Sequence, residues 1–184
     1  MSSLAVVRRL HDHRMWVNHK LLDAVESLPP AALRTQHPIG QGNLWRSLMH
    51  MYAAEWSWLE ALGGNESPVL PGDRPDGLPG NQEGEGGVKS LAELRVAWAK
   101  VDEAWKECLA SLTESDLETP VYKVSSLQQT RQGCRRIDVL LHVCTHAHYT
   151  AAQTINMLRQ SGAASLPDPM LISLARAEFP ATSA

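Results

Sequence analysis

Two histidines one helical turn apart, His142 and His146, are the residues whose spacing best suits them to chemistry. At i and i+4 they share a helix face and can present two imidazoles to one metal ion. Thr150 and Gln153 continue the polar line on the same side. His148 is turned about 200° from His146 and belongs to another face. No glutamate follows His142, so a zinc-protease HExxH reading fails. A third ligand must come from elsewhere. His50 is the candidate, since it is the one histidine within the segment 43–62. Zinc, nickel and iron accept imidazole, and three protein ligands leave a position for water, whose pKa a metal would lower. The competing reading is structural, because internal histidines are commonly hydrogen-bonded parts of a core. The chain has eight histidines, enough for such a pair to arise by chance.

The elements that must position these residues read as helices. Apolar residues recur at helical spacing over residues 3–28, 43–62, 91–112 and 137–160. Pro29 and Pro30 end the first segment. Asn43 is placed to cap the second, and Gly63-Gly64 to stop it. Ser90 and Glu93 match a capping box at the start of the third. A short fifth helix is expected near 169–177. The Gly- and Pro-rich connection 63–89 is long enough to cross a helix length, which predicts that the second and third helices run parallel. Val121, Tyr122, Val124 and Gln132-Gly133 suggest a small hairpin between the third and fourth. The expected fold class is all-α: an up-down-down-up four-helix bundle with a long helix 2–3 connection, forming one domain over 1–184.

Composition narrows the function classes. The net charge of −3 gives no reason to expect nucleic acid or an anionic membrane as partner. No apolar run approaches the length of a membrane span, and the first residues lack the pattern of a signal peptide. Cys108, Cys134 and Cys144 form neither a CxxC pair nor an even framework, which fits a reducing cytoplasm. Cys144 lies two residues before His146, on another face, and is not expected to act as a nucleophile. Six tryptophans against one phenylalanine are expected to pack in the core and at interfaces.

Three segments resemble the DinB-like (YfiT-like) superfamily of metal-dependent helical bundles. Trp16-Val17-Asn18-His19-Lys20-Leu21-Leu22 is similar to its W-A-N-x-x-L-L opening helix. His50 to Trp58, with Glu55 inside, is similar to its H-x4-E segment. His142 to Gln153 is similar to its H-x3-H-x3-H-R-G-Q signature. The resemblance implies a bundle, commonly a homodimer, with a divalent metal held by one histidine of helix two and two of helix four. His50 and His146 match two of these ligands. The third falls on Thr150, and the Arg-Gly that follows falls on Ala151-Ala152. Threonine is a poor ligand for zinc or nickel. Three alternatives follow: the metal is lost, it is held weakly by His50 and His146 with waters, or it moves one turn so that His142 replaces the missing ligand.

By resemblance, the chain is expected to be a zinc- or nickel-dependent enzyme of thiol-transferase or hydrolase type. A thiol or other small molecule would bind in a pocket built from His50, Glu55, His142, His146, Thr150 and Gln153. Glu55 would orient a ligand or act as a base there, with surface exposure as its structural alternative. The competing function is a metal-free binding bundle. A third reading is a dimerising module with Trp45, Trp56 or Trp98 on its interface.

Overall fold

The computed structural model describes residues 2–125 and 130–179. Residues 126–129, which fall in the expected hairpin, lie outside the described residues, as do the ends of the expected domain at 1 and 180–184. Five helices dominate: α1 (Ser3–Glu26), α2 (Leu44–Leu62), α3 (Leu91–Ser111), α4 (Arg136–Gln160) and α5 (Leu171–Glu178). Between α3 and α4 a two-stranded antiparallel hairpin forms from β1 (Pro120–Val124) and β2 (Arg131–Arg135). The fold is therefore mostly helical rather than all-α. Every residue of β2 is exposed, so its strand leaves no alternating pattern to read. Val121 of β1 is buried against Ala61 and Val139, which anchors the hairpin to α2 and α4. No helix among the described residues is long and apolar enough to cross a membrane.

Local signals account for the helix ends. The Asn43 side chain accepts the Arg46 amide at 2.9 Å, taking up one of the free donors at the start of α2. Gly64, with φ of +97°, turns the chain away after α2. Ser90 accepts the Glu93 amide, but the Glu93 carboxylate reaches past the cap to the Lys89 amide at 2.9 Å. The end of α3 is closed from outside: the Arg8 guanidinium donates to the carbonyls of Leu109 and Leu112. Those carbonyls have no partner within their own helix, and a cation suits the negative end of the helix dipole.

The long contacts fix which helix ends meet. Arg8, early in α1, touches the end of α3, while Arg95, early in α3, pairs with Asp23 and Glu26 late in α1. These two helices run antiparallel. Between α2 and α4, Ser47 meets Met157 and the Trp58 ring meets His142, again antiparallel. In α1 and α4, His11 meets the Leu140 carbonyl and His13 the His148 ring. The four helices enclose one apolar core in which Leu21, Leu48, Leu94, Trp98, Trp105 and Leu158 are fully buried. Trp45 and Trp98 thus belong to the chain's own core, and Trp56 is half-buried.

The connection between α2 and α3 is a built structure. Asp73 is its hub, accepting the amides of Gly80 and Gln82 and the Gln82 side chain at 2.7–2.8 Å. Gln82 is buried and also accepts the Val88 amide. Its φ of +51° is an uncommon conformation for a residue other than glycine, held by those bonds. Gly80 lies so close to α2 that a Cβ there would stand 2.9 Å from the Met49 carbonyl oxygen.

Candidate functional site

His50 enters from the middle of α2 and His146 from the middle of α4. Their Nε2 atoms meet at 2.9 Å, with the rings at 66° to one another. One nitrogen donates the proton that the other accepts. Burial lowers the pKa of both rings, and the neighbouring His50 and His142 rings help push His146 down to about 4. Both imidazoles are therefore neutral at pH 7, the state that binds metal without first releasing a proton.

The other predicted residues lie at different distances from this pair. His142 is exposed, its ring 5.8 Å from that of His146 but edge-on to Trp58 at 5.5 Å. Thr150 is buried one turn beyond His146, and its carbonyl accepts the Thr154 hydroxyl. Gln153 is half-buried beneath the 35–43 loop, where a Cβ on Gly40 would come within 2.5 Å of its Oε1. Glu55 lies neither in a pocket with the histidines nor at the surface. It is 1% exposed, in contact with Arg14, and accepts from Asn18 at 2.7 Å and Trp98 at 2.9 Å. Burial raises its pKa, with Arg14, Trp98 and Asn18 working in the opposite direction.

The other histidines have partners of their own. His11 binds the Leu140 carbonyl, His13 the Pro169 carbonyl, His19 the Asp102 carboxylate, and His37 lies between Gln160 and Ser161. The Cys144 thiol is buried and pushed up to about 12, which excludes it as a thiolate nucleophile near neutral pH.

Sequence reasoning missed two features. The first is the buried group of Arg14, Asn18 and Asp102 around Glu55. Asn18 and Glu55 belong to two of the three motifs that carried the family resemblance, and they bond each other. The second is the wall that the 71–89 loop raises beside His50. Together with Arg34, Trp45 and Arg46 it encloses a cavity of about 510 Å³ that His50 lines.

Two imidazole nitrogens fit a divalent cation in part. Ligands at about 2.0–2.1 Å from zinc stand roughly 2.9 Å apart at a right angle and roughly 3.3 Å apart in a tetrahedron. The observed pair already has the first spacing and needs only a small shift for the second. A third strong donor is missing: among the described residues no three His, Cys, Asp or Glu side chains gather to hold a metal. No protein group among the described residues bonds the Nδ1 of either ring, so the outer partners that orient metal-binding histidines are also lacking.

The buried imidazoles make stability depend on pH. His11 is pushed down to about 3 by burial and by Arg14. An unfolded histidine takes its proton near 6.5, whereas folded His11 and His146 do so only near 3 and 4. Below 6.5 the unfolded chain binds more protons, so this stability is present above 6.5 and is lost as pH falls towards 3. Urea unfolding at pH 7 and pH 4.5 is expected to show the loss. His11→Gln is expected to reduce the difference by roughly 2 kcal/mol, and an unchanged difference would refute the assignment.

Comparison with known proteins places the chain. The sequence profile of the DinB superfamily matches residues 13–154. Protein DinB of Bacillus subtilis (strain 168) is 22% identical over 163 residues, which cover 86% of this chain and 88% of that protein.

Proposed function

This chain belongs to the DinB superfamily, and on that premise we propose that it is an up-down-down-up bundle with an open metal centre on His50 and His146, serving thiol-transfer or hydrolytic chemistry on a small molecule. Three helix relations support the topology. Both α3 and α2 run against their partners α1 and α4, while the contacts of His11 and His13 with α4 follow one direction along both helices. The observation that carries the metal reading is the 2.9 Å approach of the two Nε2 atoms. His50 and His146 would hold a divalent cation there, zinc or nickel, which would supply Lewis-acid polarisation of a thiol or of water.

The chain's own residues do the rest. The two imidazoles are neutral at pH 7, so each can offer an Nε2 lone pair once the donating ring carries its proton on Nδ1 instead. Trp45 and Met49 give the cavity beside His50 an apolar floor that holds a substrate's body. Thr150 in place of a third imidazole makes the affinity low, so the metal exchanges with solution rather than staying resident. The working unit in this reading is a homodimer, which light scattering tests.

A second reading, metal-free binding of a small molecule, is favoured by the lack of a third ligand among the described residues. Titration decides between them, on protein purified without a nickel column. The metal reading expects substoichiometric metal as purified and saturable uptake of one zinc or nickel per chain, abolished by His50→Ala or His146→Ala. No uptake, or uptake indifferent to both substitutions, would establish the metal-free reading instead.

A further inference from the structure

The cavity beside His50 is lined by three cations that meet no carboxylate among the described residues. The chain as a whole is acidic, with 17 lysines and arginines against 20 aspartates and glutamates, so cations are not in surplus. Elsewhere Arg9, Arg14, Arg74, Arg95, Lys106, Arg131 and Arg135 each meet a carboxylate, and the cations without one, such as Arg8, Lys20, Lys123 and Arg176, do not share a cavity with two others. Among the described residues Arg34, Arg46 and Lys89 pair with none, yet all three line this one cavity. Glu83 is the single acidic side chain on the same lining.

Two of these cations are held in place without being neutralised. The Arg34 guanidinium lies over the Trp45 ring, 5.3 Å from its centroid. A guanidinium stacked in this way keeps its planar donor edge free for a carboxylate or phosphate. The Lys89 ammonium donates to the Gln82 carbonyl at 2.6 Å, which leaves further protons to give. That carbonyl belongs to the residue at positive φ, fixed in turn by Asp73 and by Val88. Prior ordering of this kind lowers the entropy lost when a ligand binds.

We propose that this cavity binds a small molecule carrying two or more negative charges, carboxylate or phosphate, which Arg34, Arg46 and Lys89 hold while the remainder lies towards His50. The anion site stands on the cavity alone; that its occupant is the substrate rests on the function proposed above.

Calorimetric titration of the full chain, stripped of metal on a chelating resin, tests it with citrate and with inorganic pyrophosphate as probes. An uncharged sugar of similar size serves as the control. Saturable binding of one anion per chain is expected, weakening as salt is raised. Arg34→Glu and Arg46→Glu are each expected to weaken it by about tenfold or more, the effect of losing one hydrogen bond to a charged group. Arg46→Gln gives a milder loss in the same direction. Arg176→Glu, on α5 away from the cavity, should change nothing. Binding of citrate alone marks a carboxylate ligand, and binding of both probes marks a site selective for charge; either supports the proposal. No saturable binding of either anion, or equal weakening by Arg176→Glu, overturns it. His146→Ala separates the two ideas, since it removes metal uptake and is expected to leave citrate binding in place.

Discussion

Thr150→His is expected to raise the affinity for zinc or nickel by on the order of 100-fold, equivalent to about 2.7 kcal/mol. Position 150 lies one turn along α4 from His146 and is buried on the same side of the helix. His50 and His146 already meet there, so the substitution adds a donor to a pair that is in place. Even the outer hydrogen-bond partners of a metal site change affinity by about 10–100-fold, and a direct ligand should do at least as much. The larger ring must fit into a packed helix interface, at a cost of about 1–3 kcal/mol in the absence of metal. The variant should therefore melt below the parent without metal and recover when zinc is added. At a zinc concentration 100 times the dissociation constant the gain is about 2.7 kcal/mol. Thr150→Asp needs less room and should shift affinity in the same direction. His142→Ala should leave uptake unchanged, because that ring packs against Trp58. If both position-150 variants take up zinc no more tightly than the parent, His50 and His146 are not metal ligands.

How much of this was legible in the sequence depends on the range of the interaction. The helices were, because each is written in its own periodicity and ends in its own caps, as at Asn43 and Gly64. The hairpin was readable only from β-branched residues and a glycine, since its second strand is wholly exposed. His50 and His146 could be nominated because helical spacing and a family pattern both indicate them. Their contact spans 96 positions, a separation that periodicity cannot supply. Glu55 shows the limit more sharply. A charged residue on an otherwise apolar face reads as a surface or pocket group until its partners are known, and those come from α1 and α3, 37 to 43 positions away. The 63–89 connection reads as glycine and proline spacers. Its order comes from Asp73 and Gln82, nine positions apart in a stretch without periodicity. The cation-lined cavity beside His50 depends in part on that order and was correspondingly invisible.

Arg14→Met is expected to destabilise the fold by about 3–5 kcal/mol, the cost of leaving a buried charge without its partner. Arg14 and Glu55 are both buried, and Asp102 lies 3.9 Å from the same guanidinium. Removing the arginine strands two carboxylates inside the core, where Trp98 and Asn18 alone remain to Glu55. Asp102 retains His19, whose pKa it raises, as a partial counter-ion. Total stabilities of domains this size are about 5–15 kcal/mol, so the loss is a large share of the whole. Glu55→Leu should cost a comparable amount for the converse reason. The double variant Arg14→Met/Glu55→Leu should cost less than the sum, because two apolar residues need no partner. Urea denaturation of the four proteins measures the cycle, and single losses below about 1 kcal/mol would sink the idea of an interdependent buried pair. A conservative variant decides what Glu55 is for. Glu55→Gln, studied below its melting temperature, should still take up zinc and bind citrate as the parent does, because the residue joins α1, α2 and α3 rather than lining the cavity. Loss of either binding in the folded variant would place Glu55 in the chemistry instead.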